Sequence, residues 1–166
     1  MSANRHLGRI ISLQTLYEVA FRRECGDKTV KIDEILRRNI SRYKAELDDK
    51  QFIKNLVDGV SKSQDELNAQ IQPIAPEWPL SQIAKIDLVL LQMGAYELIN
   101  NKEVPPKVVI NEAVELAKAY GGDNSSKFIN GVLGTLLSQI DPGTEPKKPK
   151  ASTTKIAKKP KIAKKK

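Results

Sequence analysis

Residues 72–79, Gln-Pro-Ile-Ala-Pro-Glu-Trp-Pro, divide the sequence into two parts. Proline removes a backbone donor and clashes with the preceding turn, so three prolines within seven residues exclude a helix interior here. On both sides, from about residue 3 to residue 141, apolar residues recur every three or four positions, and no segment alternates as a half-buried strand does. The pattern predicts an all-α fold: one compact helical domain over residues 1–141, with two three-helix halves at about residues 3–72 and 80–141.

Upstream of this boundary the apolar spacing predicts three helices. The first is amphipathic and ends near Gly26, and the second covers about residues 31–47. Asp48 and Asp49 are expected to open the third, because carboxylates are favourable at a helix N-terminus. Its apolar positions continue without interruption to Ile71, so a single long helix is predicted.

Downstream of the boundary three more helices are predicted. Ser81 is the candidate N-cap of the first, which keeps its period to about Asn100. The second covers residues 107–120 after two prolines, and Gly121-Gly122 is expected to end it in a left-handed C-cap. The third begins after the cap candidates Asp123, Asn124 and Ser125 and ends before Pro142.

Two glycines lie inside the last predicted helix. Gly131 and Gly134 each cost roughly 1 kcal/mol relative to alanine in a helix interior. Close approach of another helix is the favoured explanation, and contact of the backbone with RNA or a partner is the alternative.

The net charge of +8 is concentrated at the C-terminus. Residues 142–166 carry ten lysines and one acidic residue, whereas residues 1–141 carry 18 basic and 19 acidic residues. The last segment holds too few apolar groups to offset the entropy of ordering its backbone, so it is predicted to be a disordered basic tail. Its lysines could bind phosphate backbones without reading sequence, or the tail could serve solubility alone.

The composition excludes several classes of protein. With 40% hydrophobic and 29% charged residues among 166, the chain is neither collagenous nor mostly disordered. No apolar run reaches the ~18 residues of a membrane span, and no apolar signal core follows the N-terminus. Cys25 is the only cysteine, so no intrachain disulfide can form. A cytoplasmic protein without a membrane partner is predicted.

No convincing catalytic constellation is present in the sequence. His6 is the only histidine, so a nucleophile-histidine dyad would have to use the first turn of the chain, and no histidine pair is available for zinc. Gly121-Gly122 lacks the following Gly-Lys-Ser/Thr of a phosphate-binding loop. The prediction is a protein that is not an enzyme and that needs no cofactor.

Several stretches together resemble one family. Two of the most distinctive are Val-Ile-Asn-Glu-Ala-Val-Glu-Leu-Ala-Lys-Ala-Tyr at 109–120 and Ser-Lys-Phe-Ile-Asn-Gly-Val-Leu at 126–133. With the segments at 9–18, 52–60 and 86–98, they are similar in order and separation to the NusB family of transcription antitermination factors. The resemblance covers about residues 5–140.

The resemblance implies a fold, a function and partners. Members of this family have two three-helix halves, pair with NusE, a small-subunit ribosomal protein, and bind the boxA element of ribosomal RNA operon transcripts. The pair helps RNA polymerase, within an antitermination complex, to read through terminators. Some members also self-associate, so a homodimer is a further expectation.

The resemblance also implies particular contact residues. Four positions are expected to contact RNA: two match or neighbour the basic N-terminal motif, and two match the Lys-Phe pair at the start of the last helix, namely Arg5, Arg9, Lys127 and Phe128. Lysine can neutralise a phosphate and phenylalanine can stack on an unpaired base, although Phe128 could equally be a core aromatic.

Two further positions match residues that face NusE in the family. These are Tyr17, which also lies on an apolar stripe, and Asp87. The N-terminal motif holds only two arginines where the family commonly has more, so the basic tail is a candidate source of additional phosphate affinity.

Three other functions stay open at this point. The chain could be a freestanding domain related to the N-terminal domains of ribosomal RNA methyltransferases, or a protein-only scaffold. It could also be a helical protein that binds duplex DNA, tracking phosphates with its tail and with Arg37, Arg38 and Arg42.

Overall fold

The computed structural model describes residues 3–143. These residues form seven α-helices: α1 (Ala3–Glu24), α2 (Ile32–Arg42), α3 (Lys50–Lys62), α4 (Gln64–Ile71), α5 (Lys85–Asn100), α6 (Pro106–Tyr120) and α7 (Ser125–Ile140). Two short 3₁₀ turns, Gln72–Ile74 and Leu80–Gln82, lie in the segment between α4 and α5. The all-α prediction is confirmed for this part of the chain. The predicted disorder of the tail concerns residues of which all but Pro142 and Gly143 lie outside the described range.

Helix α5 is the central element of the fold. It packs against α1, α3, α4, α6 and α7. Its side chains are therefore buried on nearly every side, Leu90, Leu91 and Ala95 among them. A helix that is apolar all round is the expected consequence of such a position.

The two sides of the proline-rich segment share one hydrophobic core. Residues from α1, α3 and α4 join residues from α5, α6 and α7 in a single buried cluster. Helices α1 and α5 run antiparallel, since Arg9 pairs with Glu97 near one end and Glu24 pairs with Lys85 near the other. The predicted site residue Arg9 is therefore held against α5.

The predicted third helix is two helices. Asp49 does open it, because its Oδ1 accepts a hydrogen bond from the Phe52 backbone N–H at 2.9 Å. The chain then leaves helical geometry at Ser63, whose N–H donates to the Gly59 carbonyl at 3.0 Å, and restarts as α4. Helix α4 packs on α5 and α7 while α3 packs on α1 and α5. Both helices bury an apolar face, so the periodicity hides the break between them.

Several predicted helix ends are also corrected. Helix α2 ends at Arg42 rather than near residue 47. Ser81 lies in a 3₁₀ turn and caps nothing, and α5 begins only at Lys85. Gly121 is extended, with φ −93° and ψ −174°, instead of left-handed. The reason is local: the Ser125 hydroxyl accepts a hydrogen bond from the N–H of Gly122 at 2.9 Å and holds the turn into α7.

The explanation by close approach is wrong for Gly131 and Gly134. A Cβ added at either position would meet no atom within 4 Å. The close contacts occur elsewhere: a Cβ at Gly94 would lie 2.6 Å from Leu133 Cδ1, and one at Gly59 would lie 2.0 Å from Tyr96 Cζ. These two glycines let α5 approach α7 and α3, whereas the glycines of α7 lie on its open side.

Candidate functional site

Arg9 is an interior residue that joins α1 to α5. It is 1% exposed, and its Nε and Nη2 donate to the two carboxylate oxygens of Glu97 at 2.9 and 2.8 Å. Its guanidinium carbon lies 5.1 Å from the centre of the Phe52 ring. Its Nη1 is buried without a hydrogen-bond partner and lies 3.8 Å from Glu112 Oε2. The side chain is therefore shielded from solvent, unlike a side chain that contacts a ligand directly.

Arg5 and His6 occupy the surface above this ion pair. The Arg5 guanidinium carbon also lies 5.1 Å from the Phe52 ring centre, and its two carboxylate partners, Asp49 and Glu103, are 3.6 and 3.9 Å away. Such long, partly exposed contacts contribute little to stability. His6 Nδ1 lies 2.6 Å from Glu112 Oε2. Arg5 is thus the arginine of the predicted motif that remains available to a ligand.

Lys127 and Phe128 lie in the first turn of α7. Lys127 is exposed and Phe128 is half-buried. The N-cap residue Asn124 makes no side-chain capping bond, so the helix start retains backbone N–H groups that its cap does not satisfy. Unpaired N–H groups and the positive end of the helix dipole together favour an anion at this position.

A cleft of about 460 Å³ opens beside this helix start. The aromatic side chains of Trp78 and Phe128 line it together with Ile83, Asp87 and Ser125. On the other side of Phe128 a second cleft runs over Gly131 and again reaches Trp78. Phe128 therefore contributes to two adjoining concave surfaces and is not simply a core aromatic.

The predicted RNA-binding residues fall into two groups. Arg5 and Arg9 lie near the Glu97 end of α5, whereas Lys127 and Phe128 lie near Asp87, which contacts Ser125 at the start of α7. Ten residues separate Asp87 from Glu97 along α5, which corresponds to about 15 Å at 1.5 Å per residue. A ligand that touches both groups must therefore extend along α5.

Asp87 is buried rather than displayed. It is 8% exposed, and its Oδ2 accepts a hydrogen bond from the Ser125 hydroxyl at 2.9 Å. Its Oδ1 is buried without a hydrogen-bond partner. Asp87 faces the cleft at the start of α7, so its environment differs from the open surface expected of a residue at a protein interface.

Tyr17 lies on an exposed aromatic patch of α1. It is 37% exposed and stacks on Phe21, which is 50% exposed, with ring centres 6.3 Å apart and planes inclined by 14°. The apolar spacing of the first helix includes Phe21, and that spacing does not indicate its exposure. Two adjacent exposed aromatic rings are typical of a surface that a protein partner covers.

Trp78 was also missed as a site residue. It was considered only within the proline-rich boundary, yet it is 55% exposed. The Gln72 side chain holds its loop: the amide Nε2 donates to the Trp78 carbonyl at 3.1 Å, and Oε1 accepts from the Leu80 N–H at 3.2 Å. The sequence signal available for it was a tryptophan within a proline-rich segment.

The arginines of α2 are partly engaged within the protein. Arg38 pairs with Glu18 of α1, and its hydrogen bonds hold the pKa of that carboxyl below its ordinary value. Arg37 and Arg42 are exposed. The face proposed for duplex DNA is therefore partly neutralised by α1.

Within residues 3–143, no group of three His, Cys, Asp or Glu side chains is placed to hold a metal ion. Helices long and apolar enough to cross a bilayer are likewise lacking in that range.

Comparison with known proteins identifies the family. The model of the NusB family matches residues 6–138. The chain is 38% identical over 141 residues to a transcription antitermination protein NusB of Chloroflexus aggregans, covering 84% of this chain and 90% of that protein. The chain belongs to the NusB family.

Further NusB proteins support the assignment. The NusB of Acetivibrio thermocellus is 34% identical over 133 residues, covering 80% of this chain and 88% of that protein. The solved structure of T. maritima NusB superposes with a TM-score of 0.74 at 27% identity, covering 84% of this chain and 94% of that one. The crystal structure of antitermination factors NusB and NusE in complex with dsRNA contains a chain of the same fold, with a TM-score of 0.71 at 22% identity and coverage of 84% and 99%.

Proposed function

We propose that this member of the NusB family is an RNA-binding transcription antitermination factor. In this proposal it pairs with NusE, binds the boxA element of ribosomal RNA operon transcripts, and helps RNA polymerase within an antitermination complex to read through terminators. The support is family membership over residues 6–138, together with relatives named transcription antitermination protein NusB. A solved structure of the same fold holds NusB, NusE and double-stranded RNA, which supports both kinds of partner for this chain.

The start of α7 provides the main structural support for RNA binding. Lys127 supplies an exposed cation, the helix start supplies N–H groups that Asn124 does not cap, and Phe128 supplies an aromatic face beside a cleft. A phosphate suits the first two groups, and an unpaired base suits the third. Arg5 adds a second positive group near the far end of α5, about 15 Å away along that helix.

Arg9 has a different role in this proposal. Because both Nε and Nη2 are committed to Glu97 in the interior, Arg9 holds the first turns of α1 against α5. It thereby fixes the position from which Arg5 reaches the RNA. Arg9 is a positioning residue for RNA binding rather than a phosphate ligand.

The aromatic patch Tyr17–Phe21 is the proposed contact for NusE. It is exposed on α1, at the level where Glu24 and Lys85 join α1 to the start of α5. A homodimer that used the same patch would compete with NusE. Measuring the mass of the protein in solution, alone and with NusE added, distinguishes a homodimer from a complex with NusE.

The proposal is tested by binding of RNA across a salt series. Single-stranded boxA RNA and a scrambled control are titrated with the full chain and with a chain ending at Asp141, each with and without NusE. The slope of log affinity against log salt is about −0.7 per neutralised phosphate of a single strand, so the difference between the two chains counts the contacts made by the tail.

The results of these titrations separate the proposed function from its alternatives. Preference for boxA by both chains, strengthened by NusE, is the expected result, with a shallower slope for the shortened chain. Indifference to RNA sequence and to NusE, with affinity lost on truncation, would overturn the proposal and leave a helical domain with a generic polycation. A duplex DNA titrated in parallel that bound more tightly than the RNA would overturn the proposal in favour of the alternative based on α2.

A further inference from the structure

We propose that the cleft between Trp78 and Phe128, here called the Asp87 cleft, binds a single unpaired guanine base of the RNA. Its lining residues are Trp78, Ile83, Asp87, Ser125 and Phe128, with parts of the loop before α7. This inference rests on the proposed RNA-binding function, and it specifies the base that the cleft recognises.

The unsatisfied carboxylate oxygen indicates a ligand with an N–H donor. Asp87 Oδ1 is buried and has no hydrogen-bond partner, while Oδ2 is taken by the Ser125 hydroxyl. A buried carboxylate oxygen left in this state is costly, and an ionised carboxylate can only accept hydrogen bonds. A donor that enters the cleft would remove the cost. The cleft is therefore suited to a group that brings N–H bonds to its floor.

The walls of the cleft suit a flat ring. Trp78 and Phe128 both line it, and Trp78 projects from a loop that Gln72 holds through hydrogen bonds to Trp78 and Leu80. Aromatic side chains stack on bases of any sequence, so they supply affinity but little selectivity. Selectivity among the bases therefore has to come from the Asp87 carboxylate. Guanine is the base whose Watson–Crick edge presents two adjacent N–H donors, on N1 and N2, to a single acceptor group.

The charge at the mouth of the cleft favours a nucleotide over an arginine of a protein partner. A guanidinium would also stack on aromatic rings and pair with a carboxylate. The start of α7 lines this cleft and Lys127 lines the adjoining one, however, and both repel a cation. A nucleotide combines a neutral base for Asp87 with a phosphate for Lys127. Both features of the site are then used together.

Gly131 lies where the RNA chain would leave the Asp87 cleft. Gly131 lines the neighbouring cleft, which is shared with Trp78 and Phe128, and a Cβ there would meet nothing within 4 Å. No packing contact therefore accounts for a glycine at this position. A smooth floor beside Phe128 leaves room for the sugar-phosphate chain to continue from the base in the Asp87 cleft.

The test compares guanine with inosine, which lacks the N2 amine. Short oligouridylates that carry one central guanosine, inosine or adenosine are titrated with the full chain and with its Asp87→Asn variant. The native protein should bind the guanosine oligonucleotide about ten-fold more tightly than the inosine one, since hydrogen bonds to charged groups are the strong ones. Asp87→Asn should abolish that ratio. A merely structural loss would weaken all three oligonucleotides alike.

Two surface variants complete the experiment. Trp78→Ala should weaken binding of the guanosine oligonucleotide about ten-fold through lost stacking. Tyr120→Ala removes an exposed aromatic ring that does not line the cleft and should leave RNA binding unchanged. Circular dichroism melting of every variant shows whether it is folded.

The contrary results are distinct from one another. Equal affinity of the native protein for guanosine and inosine, or a guanine preference that survives in Asp87→Asn, overturns this inference while RNA binding itself stands. Failure of the native protein to bind any RNA, boxA included, overturns the proposed function as well. If Asp87→Asn weakens binding of NusE and leaves every oligonucleotide unaffected, the cleft receives a protein side chain instead.

Discussion

The ionic contacts of two arginines in α1 differ widely in how much they stabilise the fold. Arg9 and Glu97 form a buried pair with two hydrogen bonds, whereas the contacts of Arg5 with carboxylates are long and lie at the surface. A buried pair costs free energy of desolvation for both ions, and removing one partner leaves the other charged and unpaired. Two arginines one helical turn apart in the sequence therefore differ in what they do.

The first prediction concerns this buried pair. Arg9→Met should lower the free energy of unfolding by about 3–5 kcal/mol, because Glu97 is left buried without its partner. Replacing both residues with methionine should recover much of that loss. Urea denaturation measures both changes, with Arg5→Met as the matched control, for which little change is expected. A loss below about 1 kcal/mol for Arg9→Met would contradict the assigned role.

The second prediction concerns Lys127. Lys127→Ala should weaken RNA binding and reduce the magnitude of the salt slope by about 0.7, the value of one phosphate contact on a single strand. The control is Lys118→Ala, which removes an exposed lysine of α6 that pairs with Glu115. Fluorescence titration at several salt concentrations gives both slopes. An unchanged slope in Lys127→Ala would show that this lysine touches no phosphate.

At the scale of the elements, helix contacts depend on glycines that the periodicity does not distinguish. Gly59 and Gly94 each face another helix closely, and Gly131 and Gly134 face open space. Sequence reasoning singled out the second pair because those glycines interrupt a helix visibly. A glycine that admits a neighbour and a glycine on an open face look alike in one sequence, since the neighbour lies far along the chain.

The third prediction contrasts one glycine of each kind. Gly134→Ala should raise the free energy of unfolding by about 0.5–1 kcal/mol, because alanine is the better helix former and its Cβ meets nothing. Gly94→Ala should lower it, since the new Cβ would lie 2.6 Å from Leu133. Thermal and urea unfolding of the two variants measure both changes in the free energy of unfolding. Destabilisation by both would mean that α7 is covered on its open side.

The fourth prediction concerns the connection between α1 and α2. Hydrogen bonds from the Thr29 hydroxyl and N–H, and then from Arg22, lower the pKa of Asp27 from 3.8 to about 2. A depressed carboxyl pKa contributes stability above the unfolded value, and that contribution is lost as the pH falls from about 3.8 through about 2.

The measurement is the unfolding free energy of the native chain and of Asp27→Asn as a function of pH. The native protein should be the more stable above pH 3.8, and the difference should shrink as the pH falls toward 2. A difference that stays constant across this range would show that Asp27 stabilises the turn without its charge.

For the whole molecule, the proline-rich segment separates helices in sequence but not in space. The buried cluster is continuous from α1, α3 and α4 to α5, α6 and α7, and α5 contacts helices on both sides. Each half would expose a large apolar surface without the other. We therefore expect the halves predicted at residues 3–72 and 80–141 to unfold as one cooperative unit.

The fifth prediction follows from this shared core. A fragment ending at Pro79 lacks α5 and leaves the apolar faces of α1, α3 and α4 uncovered. It should show little helical circular dichroism and no cooperative melting, while the chain ending at Asp141 melts in one transition. Mixing the fragment with residues 80–141 should restore helicity. A fragment that folds alone would show that the halves are independent domains.

Local sequence signals predicted the helical class, the approximate position of most helices, the division at residues 72–79 and membership of the family. Each of these depends on local signals, such as apolar periodicity, prolines, the Asp49 cap and contiguous motifs. Lys127 and Phe128 could be named for the same reason, since both lie in one such motif.

Contacts between distant parts of the chain set which of these residues are accessible. They bury Arg9 against Glu97, 88 positions away, leave Phe21 and Trp78 exposed, and leave one oxygen of Asp87 without a partner in a cleft. Helical periodicity states which face of a helix is apolar, but it does not state which distant residue packs against that face. Burial and pairing arise from contacts between elements that are remote in the chain, and a local pattern carries no record of them.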